Sequence, residues 1–257
     1  MGLVTLTRIV SGQGMGRFLH LAIAFLLAAP LGWADDLAAD IGRIHIEAIG
    51  GQARVERLHS FRAAGQSRVG DFTMDFQMWA KRPSSIRVEV MMQNQTIIQG
   101  WDGEGTPWLQ GGPNGAPQAM PADLAKRFMT ESAFDTPLFN PEERGFALEY
   151  AGEDQVGDRP VVKLLATRNV TDQSTLYLAA DTYFIVQQDR VRYSPGGGRV
   201  LVQTQYGDFR PVLGVIMPHR IVVKEGDQVV SDVMLSWMEP NPPLDDSEFR
   251  MPDRAAE

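Results

Sequence analysis

Through most of its length this sequence alternates apolar and polar residues with a period of two. Phe72, Met74, Phe76 and Met78 alternate with Thr73, Asp75, Gln77 and Trp79, and Ile86, Val88, Val90 and Met92 alternate with Arg87, Glu89 and Met91. Successive side chains of a strand point to opposite faces, so each set lines one face of a half-buried sheet. Gly70-Asp71, Asn94-Gln95 and Asp102-Gly103 punctuate these runs as tight turns, and Pro83 breaks the chain between the second and third. The pattern resumes at Phe146, Leu148 and Tyr150, then Val162, Leu164 and Ala166, with Gly157-Asp158 as the turn between them. Leu176 and Leu178 lead through Asp181 to Ile185. The stretch Pro195-Gly196-Gly197-Gly198 closes a hairpin onto Val200, Val202 and Thr204. Pro211 to Gly214 and Glu225 to Asp227 turn the chain twice more before Val233, Leu235 and Trp237. About ten or eleven strands at this even spacing predict a barrel or a large curved antiparallel sheet. The second block does not repeat the first, so one continuous sheet is expected.

Two segments switch to a helical period. Leu37, Ile41, Ile44 and Ala48 recur at helical spacing behind the acidic start Asp35, Asp36 and Asp40, where the helix dipole favours carboxylates. Gly50-Gly51 supplies the stop, and a short continuation runs from Ala53 to Leu58. A second helix follows Pro121, with Leu124, Phe128 and Met129 on its apolar side and Asp123 in its first turn. Pro137 and Pro141 make the segment from Ala133 to Arg144 a loop or broken helix, a lid or linker candidate.

The beginning of the chain reads as an address. Arg8 and Arg17 precede the apolar run from Phe18 to Ala29, and Leu31-Gly32-Trp33-Ala34 places small residues for cleavage after Ala34. The run is shorter than the ~20 residues needed to span a bilayer. Residues 1–34 are therefore read as a signal peptide and 35–257 as one exported domain. Met15 is a second candidate start, since it would set a short basic segment against the apolar run. No cysteine follows to carry a lipid, so a soluble protein of a Gram-negative periplasm is expected.

Composition and motifs remove most chemistry. With no cysteine, disulfides, thiolate metal sites and cysteine nucleophiles are excluded. The formal charge of −8 argues against nucleic acid, whose binding needs concentrated cation. His45, His59 and His219 show no metal-ligand spacing, so no metal and no cofactor are expected, and each is read as an isolated solvated or hydrogen-bonded residue. No Gly-x-Ser-x-Gly or Ser-x-x-Lys motif is present. Glu142-Glu143 and Asp245-Asp246 are adjacent pairs in loop-like sequence and read as solvated charges, although Asp245 or Asp246 also suits the cap of a short terminal helix ending at Phe249. A non-enzymatic protein is the expectation. An enzyme would need His59 or His219 beside a carboxylate in an enclosed polar pocket.

What remains is an apolar surface rich in methionine. Met74, Met78, Met91 and Met92 fall in two consecutive strands, and methionine adapts to irregular apolar partners. The same alternation serves a packed core or a sheet curled around an apolar ligand, and both readings stand.

Several fragments, taken in order, carry a further signal. They begin with Ala48-Ile49-Gly50-Gly51 and Leu58-His59-Ser60-Phe61-Arg62-Ala63-Ala64-Gly65. Lys81-Arg82-Pro83, Thr96 to Gly103 and Gly157-Asp158-Arg159-Pro160 follow. The later fragments are Leu178 to Tyr183, Tyr206 to Arg210, Leu213-Gly214, Met217-Pro218-His219 and the closing Asn241 to Phe249. Together these fragments resemble the outer-membrane lipoprotein-sorting proteins, the LolA/LolB-like periplasmic carriers, over nearly all of the exported chain. The resemblance implies a mainly β (α+β) fold: an unclosed antiparallel β-barrel with helices covering its mouth and an apolar cavity for acyl chains. The candidate lining and lid residues are Leu37, Ile41, Ile44, Phe61, Phe72, Met74, Phe76, Met78, Val88, Val90, Met92, Leu124 and Phe128. Implied partners are an acyl lipid or a lipoprotein, with an inner-membrane donor and an outer-membrane acceptor, and a monomer is expected. The resemblance implies a second function as well, a periplasmic lipid- or lipoprotein-sensing regulatory module acting through a protein partner. The sheet face around Trp79 and Trp237 would serve that partner.

Overall fold

The alternating runs pair into a single antiparallel sheet. The computed structural model of the protein describes residues 32–92, 95–111, 115–193 and 198–253. The predicted leader up to residue 31, and the centre of the Pro195–Gly198 hairpin, lie outside the described residues. Two helices come first, α1 (Gly32–Ala48) and α2 (Gln52–Arg57). Five strands and a short sixth follow: β1 (Ser60–Val69), β2 (Phe72–Lys81), β3 (Ser85–Met92), β4 (Gln95–Trp101), β5 (Trp108–Gly111) and β6 (Gln118–Ala119). Helix α3 (Ala122–Glu131) then leads through a run of turns to β7 (Ala147–Val156), β8 (Arg159–Asn169), β9 (Asp172–Ala179) and β10 (Ile185–Tyr193). The last strands are β11 (Arg199–Val212), β12 (Val215–Glu225) and β13 (Gln228–Pro240). Among the described residues thirteen strands are paired in the order β6-β5-β4-β3-β2-β1-β13-β12-β11-β10-β9-β8-β7, and no pairing joins β6 to β7, so the sheet is unclosed. The two strands beyond the expected count are the four-residue β5 and two-residue β6, too short for a readable alternation.

One face of the sheet is covered by the helices, and register identifies it. Ala63 pairs with Met78 and Met78 with Val88, while on the far side Leu164 pairs with Leu176 and Leu176 with Gln188. These residues share the inner face with the buried residues of α1 and α3. Helix α3 also proves the curvature. Phe128 packs with Trp101 of β4, and two residues later the Thr130 carbonyl accepts a bond of 3.1 Å from Arg190 of β10. In a flat sheet β4 and β10, seven strand spacings apart, would be about 34 Å from one another. Two helical residues advance only about 3 Å, so the sheet must curl into a half-barrel.

The first helix forms where expected but turns a different face inward. Ala38, Ile41, His45 and Ile46 are buried, whereas Leu37 and Ile44 are 43% and 37% exposed. The expected stripe is thus rotated by about one residue. A helix with apolar residues at nearly every other position offers several stripes, and Leu138, Phe146 and the β8–β9 face select among them. Gly50, at φ 133°, ends α1 against the β11–β12 turn; a Cβ there would meet the Gly214 carbonyl at 2.4 Å. The Ile216 amide seals the joint by donating to the Ile49 carbonyl at 2.7 Å. At the other terminus Asp245 caps a 3-10 turn (Asp246–Glu248), and a strap runs over the outer face. Its Phe249 is wholly buried, and its carbonyl accepts from Trp108 Nε1 at 2.8 Å.

Candidate functional site

The inner face divides into two unlike halves. Over β7–β9 it is filled: Leu164, Ala166 and Leu178 are fully buried and Leu176 nearly so, beneath Ala38 and Ile41 of α1, Leu138 and Phe146. Over β1–β4, β12 and β13, Phe61, Ala63, Phe76, Ala80 and Leu235 are buried, but Met78, Val90, Met217, Val233 and Met238 around them stay half-buried. So do Met74, Val88, Ile97, Ile221 and Val223 on the same face. These apolar side chains lie under a cover that leaves them partly open to solvent.

Most of the sequence-predicted lining falls in this second half. Phe61, Phe76, Met78 and Val90 belong to one cluster, and Met74 and Val88 continue it by register. Leu124 and Phe128 sit on α3 against Trp101, Ile86 and Leu109. Phe72 at 70% exposure and Met92 at 41% lie at hairpin ends on this face, at its rim. Ile41 is buried in the filled half, and Leu37 and Ile44 face away from the sheet. Residues that sequence reasoning missed are Phe134, Met217, Val233 and Met238. Val233 reads as a strand residue, but only the β1–β13 pairing joins its face to that of Met78. Phe134 sits in proline-broken sequence that carries no period.

The covering elements are held differently, and the segment after α3 reaches both halves, with Phe134 in the cluster of Phe61 and Leu138 in that of Leu164. Arg82 donates to both Asp135 carboxylate oxygens at 2.7 and 2.8 Å and to the Val55 and Glu56 carbonyls at 2.8 and 2.9 Å. Its guanidinium lies 5.0 Å from the Phe134 ring and 4.9 Å from that of Phe139. Arg144 donates to the carbonyls of Asp135, Thr136 and Phe139. This fixes the segment from 133 to 146, which is a clamped plug instead of a loose linker. Helix α1 is fixed through His45, whose Nδ1 donates to the Tyr183 carbonyl at 2.8 Å while its buried Nε2 has no partner. Burial lowers the pKa of this ring to about 4, against the opposing effect of its backbone bond, so the imidazole is neutral. Helix α3, by contrast, rests on one small apolar cluster and the Arg190–Thr130 bond.

The outer face is built from other chemistry. Arg62 lies between the Trp79 and Trp237 rings, and Arg87 between Trp79 and Trp108, at 5.5 to 5.9 Å. Gly100 leaves room for the Trp108 indole, since a Cβ there would meet it at 2.5 Å. An open groove on this face holds Arg68 and Arg220, both paired with Asp232. His59 is exposed, and the buried His219 ring bonds the Met217 carbonyl. Among the described residues no cluster of three potential metal ligands occurs, and no helix is long and apolar enough to cross a membrane.

No family model and no curated protein matches the chain. Solved structures do. A domain named for outer-membrane lipoprotein sorting, from Vibrio parahaemolyticus, aligns with a TM-score of 0.58 at 9% identity, over 84% of this chain and 97% of that one. A DUF1329 family protein from Desulfovibrio piger gives 0.58 at 11% identity over the same shares. A LolA superfamily protein from Nitrosomonas europaea gives 0.53 at 16% identity, over 83% of this chain and 97% of that one. At these identities the likeness is one of fold: an unclosed, LolA-like half-barrel with covering helices.

Proposed function

We propose that this protein is an exported periplasmic carrier that holds the acyl chains of a lipid or lipoprotein against the open half of its inner face. It would convey them towards the outer membrane without catalysing a reaction. The observation that carries this reading is the ring of half-buried apolar residues, Met78, Val90, Met217, Val233 and Met238, on a face that helices cover. Each methylene buried there contributes roughly 0.8 kcal/mol, so a chain of ordinary length binds firmly. Release then needs a cover that moves, and α3 has the fewest ties. The LolA-like fold, shared with a protein named for lipoprotein sorting, supports the same reading.

Native mass spectrometry of protein purified from its own periplasm, followed by lipid extraction, tests it. A stoichiometric acyl lipid or lipoprotein is the expected result. Protein that is empty, and that also fails to take up a fluorescent acyl probe, would overturn it. A lipid-sensing regulatory module acting through a protein partner would bind the same probe but would not pass it to acceptor vesicles.

A further inference from the structure

The inner face carries a cation with no carboxylate paired to it among the described residues. Arg190 lies on β10, in register with Val202 of β11, and the next inner residue along its strand is Gln188. The neighbouring Arg192 is paired with Glu225 of β12. Among the described residues Arg190 has only neutral partners. Its Nη1 donates to the Thr130 carbonyl at the end of α3 at 3.1 Å. With the Gln188 amide turned to satisfy all its neighbours, its oxygen accepts from Arg190 Nε and Nη2 at 3.3 and 3.1 Å and from Ser174 Oγ at 3.1 Å, and its nitrogen donates to Tyr206 Oη at 3.2 Å. Three of the five guanidinium N–H groups are thereby directed, and the other two have no partner among the described residues. A half-buried charge at the margin of an apolar face is costly without a counter-ion.

Its position matters as much as its charge. Tyr206 pairs with Ile221, Ile221 with Val233, Val233 with Ser67 and Ser67 with Met74. Arg190 therefore stands where the filled half ends, joined through Gln188 and Tyr206 to a row that runs into the open half. We propose that Arg190 binds the anionic head group, phosphate or carboxylate, of the ligand whose chain lies over Ile221 and Val233. The cargo is then an anionic amphiphile. This rests on the carrier reading and narrows it.

Oleate and its methyl ester share one chain and differ in charge, so they separate the two ideas. Displacement of a fluorescent acyl probe from the exported protein is expected to show oleate bound about ten-fold more tightly than the ester, as a charge-assisted hydrogen bond implies. Arg190→Gln should reduce oleate to the level of the ester, and Arg190→Lys should keep most of the preference. Oleoyl lysophosphatidic acid in place of oleate tells phosphate from carboxylate. Equal binding of oleate and ester by the unaltered protein, or a preference that survives Arg190→Gln, overturns the proposal while leaving the carrier intact. Displacement by inorganic phosphate alone would assign the site to a free anion and overturn it too. If neither oleate nor ester binds, the carrier reading falls and this inference with it.

Discussion

The two halves of the inner face are written in the same alternating code and reach different ends. Over β8 and β9 the inward Leu164, Ala166, Leu176 and Leu178, flanked by Val162 and Ser174, are pressed to full burial by α1 and the plug around Leu138. Over β1–β4, β12 and β13 the inward residues are largely methionine and β-branched, and their neighbours only partly cover them. Alternation decides which side chains share a face. Whether that face becomes core or cavity depends on what is laid across it and how tightly it is fastened. Arg82, Arg144 and His45 fasten α1 and the segment from 133 to 146 at many points, while α3 has one apolar cluster and one charged bond.

The largest expected effect is on stability in the filled half. Leu176→Ala removes atoms that nothing can replace and should cost about 3 kcal/mol in urea denaturation. Met78→Ala on the half-buried side should cost about 1 kcal/mol, since water already reaches its surroundings. Equal costs would erase the distinction between the halves. Acid should act on the filled half next. The folded pKa of His45, about 4, lies below the unfolded value of about 6.5. Between those values the unfolded chain takes up a proton that the folded one refuses, so stability is complete above pH 6.5 and falls towards pH 4, by at most about 3 kcal/mol. Denaturation at stepped pH measures it, and His45→Gln should flatten the slope in that window.

A smaller effect, and a sharper test of the open half, is to fill it. Val90→Trp should lower affinity for an acyl probe by about ten-fold or more while changing folding stability by about 1 kcal/mol or less, because unfilled space accepts the ring. A large loss of stability would mean that the space is already packed. The smallest effect tests the face of α1: Leu37→Ala should be within about 0.5 kcal/mol of the unaltered protein, and Ile41→Ala should cost about 2 kcal/mol or more.

Much of this was legible in the residues. The β2 and β3 sets, Phe76 and Met78 with Val88 and Val90, do share the helix-covered face, because period two leaves a strand no other choice. The turns at Gly70, Gly157, Gly214 and Gly226 carry the positive φ that glycine permits, and Pro121 does open α3. Helix α1 was harder, since a period of 3.6 on a chain with many apolar residues allows neighbouring stripes, and Leu37 and Ile44 lost to Ala38 and His45. Phe72 and Met92 continue the alternation faithfully, yet they fall at hairpin ends where the face runs out into solvent.

By itself, then, the sequence determined the strands, their inward residues, the two helices and the apolar character of one face, all consequences of local geometry repeated along the chain. Tertiary structure alone decided that β1 pairs with β13, joining the face of Met78 to that of Val233 across more than 150 residues. It also decided that the sheet curls until α3 touches both β4 and β10, and that Arg190 faces inward and bonds the Thr130 carbonyl. Those outcomes depend on contacts between residues far apart in the chain, and no local period encodes which distant partner a face will meet.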